Sequence, residues 1–440
     1  MPTEPQWSVA ERATVAVFLG VLALAVYMGN GRYISAPDTT PNELLPISLL
    51  ERGDLHFDEF ATKRESLPYF YVMKNDRVIS FYPIVPGLLN VPAHAIARAA
   101  EADVYELRYA LAKLTASTVV AFSVSFLFLA LIQVCKRPVT AAVIALIYAF
   151  CTHAWSVASQ GLWQHGPSLL FLSLALWLLM APHRRWLPLV GLFLGLAVFN
   201  RPSNLMFALP VTLYMAKHER RRLPLFLAFA AIPAFVMALY SQTYWGSLLA
   251  LGQGHRLEGR HGPHHTYFLA SLLPGLAGVL FSPNRGLLVF SPIFLVATPF
   301  WLSALWRRGP NPLWGYLAVG AFLHLLLYAS WSVWWGGWSF GYRLLIEMLP
   351  VLILFLAIAW ECWASLRVWR QSLFWALAAA SLYVQILGAY AYPSDWNAAM
   401  DVDANPGICW SLADTELGRC QAIVMRNLGW RERSEVRSPR

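Results

Sequence analysis

The chain reads as an all-α integral membrane protein of about eleven transmembrane helices, with one large loop after the first of them. Three observations lead there. Of 440 residues, 58% are hydrophobic and 13% charged, more apolar surface than one soluble core can bury. The apolar residues gather in runs of roughly 17 or more, the length that crosses a bilayer core. The loops between runs alternate between short basic turns and longer aromatic, polar segments, as the positive-inside rule requires.

Taken in order, spans are expected near 13–29, 108–134, 138–154, 166–182, 186–200, 203–217, 223–241, 286–306, 313–331, 344–366 and 371–391. The first run lacks a small-residue cleavage site, and Glu4, Glu11 and Arg12 form a poor positive flank, so it reads as a retained span. Basic turns at Lys136-Arg137, Arg184-Arg185, Lys217 with Arg220-Arg221-Arg222, Arg307-Arg308, and Arg367 with Arg370 are expected in the cytoplasm. Segments 30–107, 153–165, 242–285, 331–343 and the tail 392–440 then lie on the exported side. This divides the chain into a transmembrane domain, 1–391, and an exported tail, in a multi-pass inner-membrane protein surrounded by lipid. Reporter fusions after Arg222 are expected to read as cytoplasmic and fusions after Asp76 as exported; a cytoplasmic signal at Asp76 would remove this orientation. The net charge of +9 is spread between apolar runs, a topology signal rather than a nucleic-acid surface. The 20 Trp suit two membrane interfaces. Cys135, Cys151 and Cys362 read as core residues, whereas Cys409 and Cys420 share a compartment in which a disulfide can form. The last ten residues, rich in Arg, Glu and Ser, are expected to be disordered.

The first exported loop begins Ser35-Ala36-Pro37-Asp38-Thr39-Thr40-Pro41-Asn42-Glu43. Thr40 and Glu43 have capping-box spacing and Pro41 falls at the first helical position, so a helix is expected from Pro41 to about Arg52, stopped by Gly53. Asp38 sits in the turn before it, near the interface, either as a base for an acceptor hydroxyl or as a turn-former. Asp54, His56, Asp58 and Glu59 spell either a metal site or a solvated bend. Tyr82-Pro83-Ile84-Val85-Pro86-Gly87 leads into an apolar helix near 87–100, too short to span.

Polar residues elsewhere gather on the same side. His165 begins a span, where a titratable group is costly unless used or paired. Arg201, in a tight turn between spans, breaks the charge rule and reads as an anion ligand or a snorkelling side chain. The loop 242–285 carries His255, Arg256, Arg260, His261, His264 and His265 without standard zinc spacing. Arg285 is a cation between two apolar segments, a position suited to gripping phosphate. The run from Trp331 to Arg343 mixes Trp335 and Trp338, whose faces can stack on sugars, with glycines that let backbone approach a ligand. Glu347, one turn after Arg343, is placed to pair with it.

On these residues the chain resembles GT-C-fold glycosyltransferases, a group that includes bacterial relatives of protein mannosyltransferases and the lipid A aminoarabinose transferase. The likeness covers most of the chain as topology. At sequence level it rests on Asp38 with its helix, on Ser282-Pro283-Asn284-Arg285-Gly286, and on Gly336-Gly337-Trp338-Ser339-Phe340-Gly341-Tyr342-Arg343. The resemblance implies a polyprenyl-phosphate-linked sugar donor, a glycan, lipid or protein acceptor, Asp38 as catalytic base, and arginines on the carrier phosphate. His165, Tyr82, Trp335 and Trp338 join Arg201, Arg285 and Arg343 as candidate substrate contacts. Many members carry a second acid beside the first; here Thr39-Thr40 follows Asp38, which assigns no metal ligand and leaves a divalent metal open as cofactor. Asp401-Val402-Asp403 has an Asp-x-Asp spelling but lies in the tail. The rival readings are an O-antigen polymerase or ligase, whose key residues usually sit in a later loop, and a lipid-linked sugar transporter or flippase, expected to keep charges along a mid-span pathway.

Overall fold

The computed structural model describes residues 7–61, 66–250, 252, 272–307, 309, 311–363, 367–393, 397 and 400–427. These residues are overwhelmingly helical. In chain order the helices are α1 Val9–Met28, α2 Thr40–Arg52, α3 Val85–Ala99, α4 Arg108–Leu131, α5 Pro138–Phe150, α6 His165–Met180, α7 Val190–Asn200, α8 Leu205–His218 and α9 Leu223–Tyr240. They continue as α10 Leu272–Phe281, α11 Leu287–Phe290, α12 Phe294–Trp306, α13 Leu313–Ala329, α14 Leu349–Trp363, α15 Val368–Ala391 and α16 Glu416–Asn427. Among the described residues, five stretches are long and apolar enough to cross a membrane: Val9–Met28, Arg108–Leu131, Arg220–Trp245, Arg343–Trp363 and Val368–Ala391.

The other expected spans are helical but shorter. Residues 186–200 open as a 3₁₀ turn, Arg184–Leu189, containing Pro188. Residues 286–306 are split into α11 and α12 around Pro292. Proline removes a donor and disfavours helix at the residue before it, so an apolar run need not be one helix. Leu272–Phe281, not expected as a helix, is one. It packs on α13 so closely that a Cβ on Gly275 would lie 1.9 Å from the Ala329 carbonyl oxygen.

The first half of α14 is buried almost continuously, from Leu349 to Ala357, and forms the middle of the bundle. At the opposite extreme, α9 is nearly bare: Leu225, Ile232, Phe235 and Leu239 are all at least half exposed. A helix apolar all round and exposed on its outer face suits lipid, not water.

The loop between α1 and α4 is folded. A 3₁₀ turn, Pro37–Thr39, leads into α2, which stops at Gly53 with φ 73, the left-handed conformation that glycine adopts without strain. The helix starts one residue earlier than expected. Its N-cap is Thr39, and Glu43 reaches back to the hydroxyls of Thr39, at 2.6 Å, and of Tyr33 rather than forming a box with Thr40. A hairpin the sequence reading missed follows: β1 Tyr71–Lys74 pairs antiparallel with β2 Arg77–Ser80. Asn75 and Asp76, both at positive φ, make its two-residue turn. The apolar helix after Tyr82 is α3, close to the expected range.

The acidic bend is tied to this hairpin. Arg77 donates to Asp58 at 2.5 Å and to Asp54 at 2.8 Å, and Arg52 donates to Asp54 at 3.1 Å. Burial opposes ionisation of Asp54, but donors from Arg52, the His56 N–H and Arg77 outweigh it and hold the carboxyl well below its usual range. A depressed folded pKa stabilises above the unfolded value, about 4, and that stabilisation is lost as pH falls further. Amide protection over 71–80, taken relative to the intrinsic exchange rate at each pH, is therefore expected to begin falling below about pH 4 and to fall further with the pH. Protection unchanged down to about pH 2 would exclude the network as the hairpin's clamp.

The tail is docked on the bundle. Ser282 donates to the Cys409 carbonyl at 2.6 Å, and the Glu416 N–H donates to Asn284 Oδ1 at 2.8 Å. Cys409 and Cys420 are separate, buried thiols, not the disulfide the sequence allowed; burial pushes the Cys409 thiol up to about 11. The residues expected to be disordered lie outside those described.

Candidate functional site

Asp38 is the hub. The turn Pro37–Thr39 places its carboxylate beside the hairpin's exit strand and the Trp- and Gly-rich loop. Tyr69 donates to Oδ1, Tyr82 donates to the same oxygen at 2.6 Å, and Arg343 Nη1 donates to Oδ2 at 3.1 Å. The Asp38 side chain keeps 18% of its surface exposed and Arg343 13%, so the group is enclosed but reachable.

Arg343 is aimed by its own loop. Gly336 and Gly337 take φ 77 and 67, and the turn they make presents the Gly336 carbonyl to Arg343 Nη2 at 2.6 Å. The guanidinium also lies over the Trp163 ring, 4.8 Å from its centre. The expected Arg343–Glu347 pair does not form. Residues 343–348 are 3₁₀ helix, in which positions four apart are about a third of a turn out of line.

Glu347 instead joins a second, deeper cluster. His165 donates through Nδ1 to its Oε1 at 2.8 Å, Arg201 Nη1 lies 3.4 Å from the same oxygen, and His324 Nε2 is 3.7 Å from Oε2. The Tyr328 hydroxyl accepts from Arg201 Nε and Nη2 at 3.0 and 2.6 Å. Glu347 is fully buried, and its charge is balanced by Arg201. Arg201 therefore neither snorkels nor points away; it stands as a fixed cation behind Asp38, whose charge it feels.

An apolar cleft meets the hub at Tyr82. It is a half-open cleft of about 40 Å³ between Phe81, Tyr82, Phe199, Pro202, Tyr240 and Trp245. One wall is α9 with the turn after it, the helix with the barest outer face. The other end carries Pro202, next to Arg201.

Of the expected site residues, Asp38, Tyr82, Arg343, Arg201 and His165 come together. Arg285 does not join them. It is 1% exposed, donates to Glu416 at 2.6 Å and to Asn397 at 2.5 Å, and reaches the Gly337 carbonyl at 3.4 Å. Its charge is met by the tail, so it braces the back of the glycine loop rather than facing a phosphate. Trp335 is likewise structural in placement, donating to Asp403 at 2.9 Å. Trp338 is 40% exposed and borders a small pocket with Trp163. Sequence reasoning missed Tyr69, Tyr328 and His324; only the last, a histidine inside an apolar helix, carried a signal. Among the described residues no group of three or more His, Cys, Asp or Glu side chains is arranged to hold a metal ion. The histidines from 255 to 265 lie outside the described residues. Comparison with protein-family models finds no match, and comparison with curated proteins finds none either.

Proposed function

We propose that the chain is a membrane glycosyltransferase of the GT-C type, moving a sugar from a polyprenyl-phosphate carrier to an acceptor hydroxyl on the exported side of the inner membrane. The observation that carries this reading is Asp38: a single carboxylate, gripped by Tyr69, Tyr82 and Arg343, at the head of an apolar cleft beside α9, whose outer face is apolar and exposed. The carrier tail occupies the cleft, which leaves its phosphate beside Arg343 and Arg201. A phosphate draws Arg343 off Asp38, since the planar fork serves either anion. Asp38 then takes the acceptor's proton as the acceptor oxygen bonds to the sugar carbon. The bond from that carbon to the phosphate oxygen breaks, its electron pair stays on the leaving phosphate, and the arginines stabilise the growing charge. Donor therefore binds before acceptor.

Arg343→Lys is expected to weaken donor use partly, because it keeps the charge and loses the fork, and Arg343→Ala strongly, by about 1.5–3 kcal/mol for a charge-assisted contact. The measurement is competition by free polyprenyl phosphate in a transfer assay. Equal competition in the native protein and in a folded Arg343→Ala variant would remove Arg343 from the phosphate. The reading as a whole is tested by mass spectrometry of cell-envelope glycans, lipids and proteins with and without the chain. Loss of one sugar from one acceptor supports it. Accumulation of a complete lipid-linked glycan on the cytoplasmic face instead favours a flippase, and shortened polymers favour a polymerase.

A further inference from the structure

We propose that Arg32 and Lys113 form a second anion site, separate from Asp38, that takes a phosphate group. Lys113 is 4% exposed, yet the acceptor its ammonium reaches is a neutral amide oxygen, Gln160 Oε1, at 2.6 Å. Asn30 Nδ2 donates to that same oxygen at 2.6 Å, so the amide's capacity is shared. An ammonium carries three donors. Arg32 donates through Nη2 to the Tyr392 carbonyl at 2.7 Å, and its Nη1 is buried without a hydrogen-bond partner. Among the described residues neither cation is ion-paired with a carboxylate; the charged side chain that acts on Lys113 is Arg32, which repels it. Among the described residues, the other enclosed cations near the hub are each paired with an acid: Arg285 with Glu416, Arg201 with Glu347, Arg343 with Asp38.

A buried ammonium held only by a neutral amide, with a second cation acting on it, is incompletely compensated, and an anion would complete the group. A phosphate monoester matches the count, with two negative charges and acceptor oxygens for both the ammonium and the guanidinium fork. Arg32 itself is only half-buried, and beside it Ile34, Ser35 and Tyr392 line a small pocket of about 10 Å³ with Trp163, Trp338 and Ser339. Lys113 lies five residues into α4, roughly 8 Å from its start, close to the same face of the bundle. Because Trp163 also underlies Arg343, the pocket adjoins the Asp38 hub.

The test is binding by the purified full-length chain in detergent, in an Arg343→Gln background that silences the donor contact. Inorganic phosphate and dodecyl phosphate are titrated calorimetrically. Saturable binding is expected, weakened about tenfold or more by Arg32→Gln and by Lys113→Met. Thermal unfolding gives a second readout: Lys113→Met removes an uncompensated charge, so it should unfold at a higher temperature without phosphate and gain nothing when phosphate is added. If Lys113→Met does not fold, the partly exposed Arg32→Gln carries the test. Tighter binding of dodecyl phosphate than of phosphate points to a lipid head group, and equal binding to a soluble or acceptor phosphate. No binding, or binding unchanged by both substitutions, overturns the site. Since no sugar transfer is measured, failure here is separate from failure of the glycosyltransferase reading.

Discussion

Asp38→Asn is expected to fold normally and to lower transfer by about 10²–10⁴-fold, the usual range for losing a general base. The substitution is isosteric, and an amide can still accept from Tyr69 and Tyr82 through one oxygen. Arg343 loses its carboxylate but keeps the Gly336 carbonyl and the Trp163 face, so the loop should hold. The arginine is then freer to meet an anion. Competition by free polyprenyl phosphate should therefore be equal or stronger in Asp38→Asn, while turnover collapses. That split between binding and rate separates a base from a turn-former: a turn-former would lose stability and binding together. Transfer above about a tenth of the native rate would remove Asp38 from the chemistry.

What could be read from sequence follows from how local each cause is. Apolar runs announced themselves because a bilayer demands length and composition, both local properties. The edges were less legible. Pro188 and Pro292 turn continuous apolar runs into broken elements, and composition alone does not show where a run breaks. The helix that follows Asp38 was readable from Pro41 at its start and Gly53 at its end, both local signals. Its partners were not: Arg343 is 305 positions away, and no periodicity links the two. Arg343 and Glu347 had the right spacing for an α-helical pair, but that rule fails in a 3₁₀ turn. The hairpin 71–80 hid because its strands are only four residues each, with Asn75-Asp76 between them, less conspicuous than Asn-Gly. Arg285 misled for the most general reason. A cation between apolar segments needs an anion, and sequence does not say whether that anion is a ligand or a side chain 131 positions later.

Glu416→Gln decides that last question, and it is expected to destabilise the protein by about 3–5 kcal/mol. Arg285 and Glu416 are 1% and 0% exposed, so the pair sits where removing one charge strands the other. Asn397 Oδ1 and the Asn284 carbonyl remain as neutral acceptors and soften the loss without replacing the charge. Glu416 also accepts from the Gly341 N–H at 3.0 Å, so the glycine loop that aims Arg343 should loosen with the tail. The measurement is thermal unfolding in detergent, with proteolysis of the tail as a local readout. Pairing Glu416→Gln with Arg285→Met removes both charges, and the double variant should recover much of the lost stability, because a buried pair can be replaced by uncharged groups at little cost. Competition by free polyprenyl phosphate should then match the native protein. An unfolding midpoint unmoved by Glu416→Gln would show the pair to be idle. Loss of competition in the recovered double variant would return Arg285 to the phosphate and would place the carrier head group against the glycine loop instead of between Arg343 and Arg201.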